Sequence, residues 1–383
     1  MIEVRMVKYK PLFLLISAVL GSTLVLWMPF FLRIPDLWGL DFSGGMMKVW
    51  ANFDGPNYLT VARTWYDKTA IARNFSVVGP LEYYPAHWPF YPLVIFLTDF
   101  LFSGPNAMLL SSLLGVVFFY FVFFKFLVRE GLTESQALLL GLVSLVLPAR
   151  WLIVRGVGSP EAWFMGFILL SLMAFADKKY WLAGLWGALA QLTKSPAILL
   201  FGSYFVYESW KMLMAKKIDK ENIKALIGVS LIPLTVLGVF AFYYLRTGDF
   251  LAYFHSGDNI HLIWPPFSTF GKSVSWVGDF WLEEFIWMWL IYGLGIMKLA
   301  KRGKKLLAIF GGVFFTATLF VAHRDIARYI LPVMPLALLG WKETIQKKEF
   351  KIMLAVLLVP SLLFAWNFML NNTAPIADWA PYL

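Results

Sequence analysis

Asp54 stands in Ala51-Asn52-Phe53-Asp54-Gly55-Pro56-Asn57-Tyr58, a polar stretch in a chain that is otherwise strongly apolar. A carboxylate just outside a bilayer is placed to take a proton from a substrate hydroxyl, and partial burial is expected to raise its pKa and strengthen it as a base. Asp-Gly followed by Pro also reads as a turn. The same residue therefore suits plainer work, shaping that turn or capping the helix-like stretch Tyr58 to Tyr66.

Four further groups carry side chains of useful type. Glu82-Tyr83-Tyr84-Pro85-Ala86-His87-Trp88-Pro89 sets an acid and an imidazole among aromatics. Such rings stack on sugars and equally anchor a chain at headgroup level. Arg155-Gly156-Val157-Gly158-Ser159-Pro160-Glu161 puts a cation and glycines beside a helix start, which suits an anion or simply a tight helix–helix turn. It is not a phosphate-loop signature. Thr193-Lys194-Ser195-Pro196 sets a lysine with two hydroxyls at a helix junction, fit for a phosphate or for snorkelling. His323-Arg324-Asp325-Ile326-Ala327-Arg328-Tyr329 spaces two arginines four apart. They share a face if the turn is helical and then clamp a phosphate, unless Asp325 and Glu161 merely neutralise them. His87, His255, His261, Asp249 and Asp258 leave room for a divalent metal, but no ligand spacing demands one and no cofactor is expected.

The elements that must position these groups are membrane helices. Sixty per cent of the 383 residues are hydrophobic and 15% charged, too few charges to cover so much apolar surface in water. Apolar runs approach the ~20 residues that cross ~30 Å of hydrocarbon. They lie near 11–32, 107–127, 136–154, 161–176, 180–193, 196–213, 225–245, 281–298, 306–323, 329–341 and 352–369. The expected fold is therefore all-α: one polytopic domain, 1–383, of about eleven spans. The first run is too long for a signal-peptide core and reads as a retained helix. With no cysteine, disulfides and thiolate chemistry are excluded. The net charge of +10 does not point to nucleic acid, because no basic run is interleaved with stacking aromatics.

Charge sets the orientation. The clusters 1–10, 125–134, 177–179, 211–224, 298–305 and 342–351 fall on one side only if the apolar run Phe90–Phe102 does not cross. That side then holds 21 of the 33 Lys and Arg, while 14 of the 23 acids lie opposite, which fits the positive-inside rule. Pro85, Pro89 and Pro92 suit a juxtamembrane helix there. Two large external loops result, 33–106 and 246–280, and all five polar groups gather on the external face.

The chain resembles the GT-C superfamily of integral membrane glycosyltransferases, most of all the GPI mannosyltransferase II type and its prokaryotic relatives. The likeness rests on Phe53-Asp54-Gly55-Pro56-Asn57-Tyr58, on Tyr84-Pro85 with Trp88-Pro89-Phe90-Tyr91-Pro92-Leu93, and on Thr193-Lys194-Ser195. Thr247-Gly248-Asp249-Phe250-Leu251-Ala252 and Arg328-Tyr329-Ile330-Leu331-Pro332 with Pro335 complete it. Phe53, Lys194 and Phe250 depart from the Trp, Arg and Pro usual there. The resemblance implies an inverting transfer of a hexose, mannose by family type, from a polyprenyl- or dolichyl-phosphate donor to a glycan or glycolipid acceptor hydroxyl. Asp54 would be the base. Tyr58, Glu82, Tyr84, His87, Arg155, Glu161, Lys194, Ser195, His323, Arg324, Arg328 and Tyr329 are the candidate substrate-binding residues. Short inner loops and the lack of cysteine favour a prokaryotic plasma membrane, with the site on its external face. A transporter or flippase of a lipid-linked sugar is the alternative. It calls for midplane charges and duplicated halves, and no duplication is evident.

Overall fold

The computed structural model describes residues 9–75, 79–257, 262–271 and 282–383. Two of the residues considered for a metal, Asp258 and His261, lie outside the described residues, as does part of the second external loop.

Among the described residues the regular elements are helices, with only three isolated β-bridges beside them. Helix occupies each of the eleven apolar runs. Among the described residues, four stretches of helix are long and apolar enough to cross a bilayer: Lys10–Leu32, Pro105–Arg129, Lys220–Thr247 and Lys348–Asn371. Their outward faces carry Phe13, Leu24, Phe31, Leu245 and Val356, all largely exposed. Hydrocarbon covers such a surface; water does not. The chain is an integral membrane protein.

Two runs differ from the expectation, and a third agrees with it. The run 136–154 is not one span. Thr133 opens a helix with a capping box on Gln136, and that helix, Glu134–Ser144, stops before a second begins at Ala149–Val154. Pro148 explains the break, since it offers no N–H and disfavours helix at Leu147. The run 329–341 is broken: the short helix Ile326–Tyr329 ends at its start, a tight turn follows at Leu331–Val333, and α-helix resumes over Met334–Gly340. Phe90–Thr98 has nine residues, so it reaches about 14 Å, less than half the ~30 Å of a hydrocarbon core.

Helices approach closely where they lack side chains. A Cβ on Gly184 would fall 2.0 Å from the Gly228 carbonyl oxygen, so Tyr180–Thr193 and Lys220–Val229 touch backbone to backbone. At one end of the bundle the loops are tied by charge: Arg129 to Asp177 at 2.6 Å, Lys304 to Glu130 at 2.7 Å, and Arg302 to Glu343. Lys305 lies over the Trp210 ring at 4.3 Å. The basic clusters from 125–134 onward therefore share that end. The helix Glu161–Ala176 runs about 24 Å away from it, and its first residue, Glu161, belongs to the opposite end.

Candidate functional site

At that opposite end, Asp54 is the N-cap residue of Gly55–Thr64, yet its side chain makes no capping hydrogen bond. The carboxylate is thus left for other partners. Pro56 sits in the first turn of the helix, where its missing N–H costs nothing. Tyr58 follows one turn later on the same face. Two groups approach the Asp54 carboxylate: His87 Nε2 at 3.8 Å and Arg328 Nη1 at 3.7 Å. Both distances exceed a hydrogen bond.

Glu161 holds the centre. Its Oε1 accepts from Arg328 Nε at 2.5 Å and from Lys194 Nζ at 2.8 Å, while its Oε2 accepts from the Ser159 hydroxyl at 2.7 Å. Only 3% of its side chain is exposed, against 32% for Asp54. The support continues behind it. Ser159 N–H donates to Ser112 Oγ, which pairs with the Tyr91 hydroxyl. The Arg328 guanidinium also stacks over the Phe53 ring, 4.4 Å from its centroid.

These groups line one end of a cavity of about 670 Å³, within the size range of small-molecule sites. Its polar end presents Asp54, Tyr58, His87, Lys194, Arg328 and Tyr329. Its other walls are apolar, with Leu199, Pro233, Val236, Leu237, Phe240 and Phe314. Leu237 lines the cavity while 55% exposed. The cavity therefore opens sideways, onto the face that meets lipid.

The charge balance departs from the expectation for Asp54. Burial raises its carboxyl, but His87 and then the Arg328 guanidinium more than offset this and hold it at about 2. A raised value does not occur, because His87 and the Arg328 guanidinium lie too close. Burial lowers the Lys194 ammonium from its ordinary value, with Glu161 opposing. Burial pushes the Tyr58 phenol well up.

Of the sequence-predicted residues, the fold brings together Asp54, Tyr58, His87, Lys194, Ser195, Arg328 and Tyr329 as cavity walls, with Glu161 directly behind. Others lie elsewhere. Arg155 is buried within the bundle, donating to Thr23 Oγ1 at 2.9 Å and Ser22 Oγ at 3.1 Å, so it ties two helices instead of holding an anion. Arg324 precedes the short helix Ile326–Tyr329 and is exposed; the turn is not helical across both arginines, and no paired clamp forms. Glu82 pairs with Lys68 at 3.0 Å on the surface. Tyr84 is buried away from the cavity walls. His323 accepts from the Asp325 N–H and contacts the Tyr329 ring. Asp325 pairs with Arg150 at 3.2 Å, not with Arg328. Tyr253 was not singled out from sequence. Tyr253 donates to Ser195 Oγ at 2.7 Å, and its only signal was its place just after Thr247–Ala252. Among the described residues, no group of three or more His, Asp or Glu is gathered to hold a metal ion.

The helical bundle has the fold seen in solved GT-C membrane enzymes. The chain is similar to ArnT from Cupriavidus metallidurans bound to undecaprenyl phosphate, with a TM-score of 0.58 and 16% identity over 91% of this chain and 63% of that one. It is also similar to the Archaeoglobus fulgidus oligosaccharyltransferase tethered with an acceptor peptide, with a TM-score of 0.57 and 13% identity over 97% of this chain and 56% of that one. The chain thus spans about three fifths of the length of these proteins. No protein-family model and no curated protein matches the sequence.

Proposed function

We propose that the protein transfers a sugar from a polyprenyl-phosphate donor to an acceptor hydroxyl, with inversion, and that Asp54 is the general base. One observation carries the reading: a single cavity joins an apolar, laterally open groove to a polar end that presents a carboxylate, Asp54, together with Lys194 and Arg328. An isoprenoid chain suits the groove, and its phosphate suits the cations. The similar ArnT structure, solved with undecaprenyl phosphate, supports that class of donor.

In the step itself, Asp54 takes the proton of the acceptor hydroxyl. The acceptor oxygen bonds to the anomeric carbon as the bond from that carbon to the phosphate oxygen breaks. The phosphate leaves with the electron pair, and Lys194 and Arg328 stabilise its added charge. Phosphate near these cations also offsets their pull on Asp54, which makes the carboxylate more basic. A hexose of the mannose type, moved to a glycan or glycolipid on the external face, is the finer form of this reading.

The test is incubation with a panel of radiolabelled polyprenyl-phosphate sugars, following transfer of label and release of free polyprenyl phosphate. Label in product with stoichiometric release supports transfer. Movement of intact donor across the membrane without release sinks it in favour of a flippase.

A further inference from the structure

Arg328 faces two carboxylates and treats them unequally. Its Nε is 2.5 Å from Glu161, whereas its Nη1 is 3.7 Å from Asp54. Glu161 is the more deeply buried, and its second oxygen is fixed by Ser159, itself held through Ser112 and Tyr91. It is thus anchored, while Asp54 makes no comparably short contact. Lys194 meets the same Glu161 oxygen at 2.8 Å. One buried acid therefore gathers both cations and keeps Arg328 beyond hydrogen-bond reach of the other acid.

We propose that, given the transferase reading above, Glu161 is a positioning residue that holds Arg328 off Asp54, leaving Asp54 free for the acceptor hydroxyl and Arg328 beside the leaving phosphate. Two carboxylates compete for one guanidinium. Without the Glu161 charge, Asp54 is the nearest anion to Arg328, and closer pairing makes it a weaker base. During transfer, the Asp54 charge is lost to the incoming proton while the phosphate gains one. Arg328, pinned through Nε, needs only to redirect its Nη groups.

The experiment uses the full chain in lipid nanodiscs, as parent, Glu161→Gln and Glu161→Asp. Each is titrated with polyprenyl phosphate by intrinsic tryptophan fluorescence and assayed with the donor the parent uses. Glu161→Gln is expected to bind polyprenyl phosphate at full stoichiometry and at least as tightly, since the site has lost a negative charge. Its kcat is expected to fall about 100-fold, in the range of a lost general base, with donor KM within about threefold. Glu161→Asp restores the charge and is expected to recover to within about tenfold of the parent. A purely structural role would lower the binding stoichiometry along with kcat. If Glu161→Gln does not fold, Ser159→Ala is expected to lower kcat about tenfold with binding unchanged, the worth of one hydrogen bond to a charged group.

Turnover of Glu161→Gln within about threefold of the parent, or loss of its polyprenyl phosphate binding, overturns the positioning role alone. So does unchanged turnover of Ser159→Ala when that variant stands in. A parent that neither binds polyprenyl phosphate nor transfers sugar overturns the transferase reading, and this inference with it.

Discussion

Asp54 Oδ2 and Arg328 Nη1 lie 3.7 Å apart, although one comes from the first long loop and the other from the short helix Ile326–Tyr329. Nothing local couples them. The bundle closes so that Glu161, at the head of its own helix, ties Arg328 and Lys194 beside the Gly55–Thr64 helix. The carboxylate proposed as the base and the cations proposed to meet the leaving phosphate then form one electrostatic unit.

Replacing Asp54 with Asn is expected to lower transfer by about 1,000-fold, within the range for a general base. The fold should not suffer, because Asp54 makes no capping bond. The measurements are initial rate and thermal midpoint. Transfer within about tenfold of the parent removes Asp54 from the mechanism.

The pH dependence follows from the Asp54 carboxyl, held at about 2 rather than 3.8. Its folded value is depressed, so the stability it contributes is present above about pH 4 and is lost as pH falls through about 2. On the same ground, kcat/KM, which reports the free enzyme, should not decline through Asp54 between about pH 8 and pH 4. An acid limb with a midpoint above about pH 5 that moves in Asp54→Glu contradicts this assignment.

The sequence made some of this legible. Apolar run lengths and the one-sided Lys and Arg clusters located the helices and the polar end. Lys194 and Arg328 stood out because they face against the charge bias. What spacing could not show is which way a side chain turns. Arg155 finds Thr23 and Ser22 on a distant helix, and Arg324 falls outside the helix that carries Arg328. The central place of Glu161 depends on contacts between three separate turns, so it looked like one turn acid among several.

Arg328→Lys keeps the charge but loses the fork that binds Glu161 through Nε while its Nη1 stands 3.7 Å from Asp54. A fall in kcat of about 100-fold is expected, the usual cost of one misplaced electrostatic donor. Polyprenyl phosphate binding, tracked by fluorescence, should weaken less than kcat falls. Full activity in Arg328→Lys rules out a role for the fork.

Gly184→Val should disturb the bundle, since even a Cβ would meet the Gly228 carbonyl oxygen at 2.0 Å. Backbone must move, and a loss of about 1–3 kcal/mol is expected. Gly238→Ala is the control, having nothing within 4 Å of its added carbon. A lowered thermal midpoint for the first and not the second checks the packing; equal midpoints contradict it.

The sideways opening at Leu237 gives a test that separates the lipid from the sugar. Leu237 lines the cavity and is 55% exposed, so a larger, polar side chain there obstructs the apolar part of the groove. Leu237→Arg is expected to raise the KM for a long polyprenyl-phosphate donor by about tenfold or more, because burying each CH₂ of the chain is worth ~0.8 kcal/mol and several contacts are lost. A short, water-soluble isoprenyl-phosphate donor does not reach this wall, and its KM should stay within about twofold. Because the charged end is untouched, kcat at saturation should hold for both donors. Equal increases for long and short donors place the chain elsewhere, and the groove then has no part in donor binding.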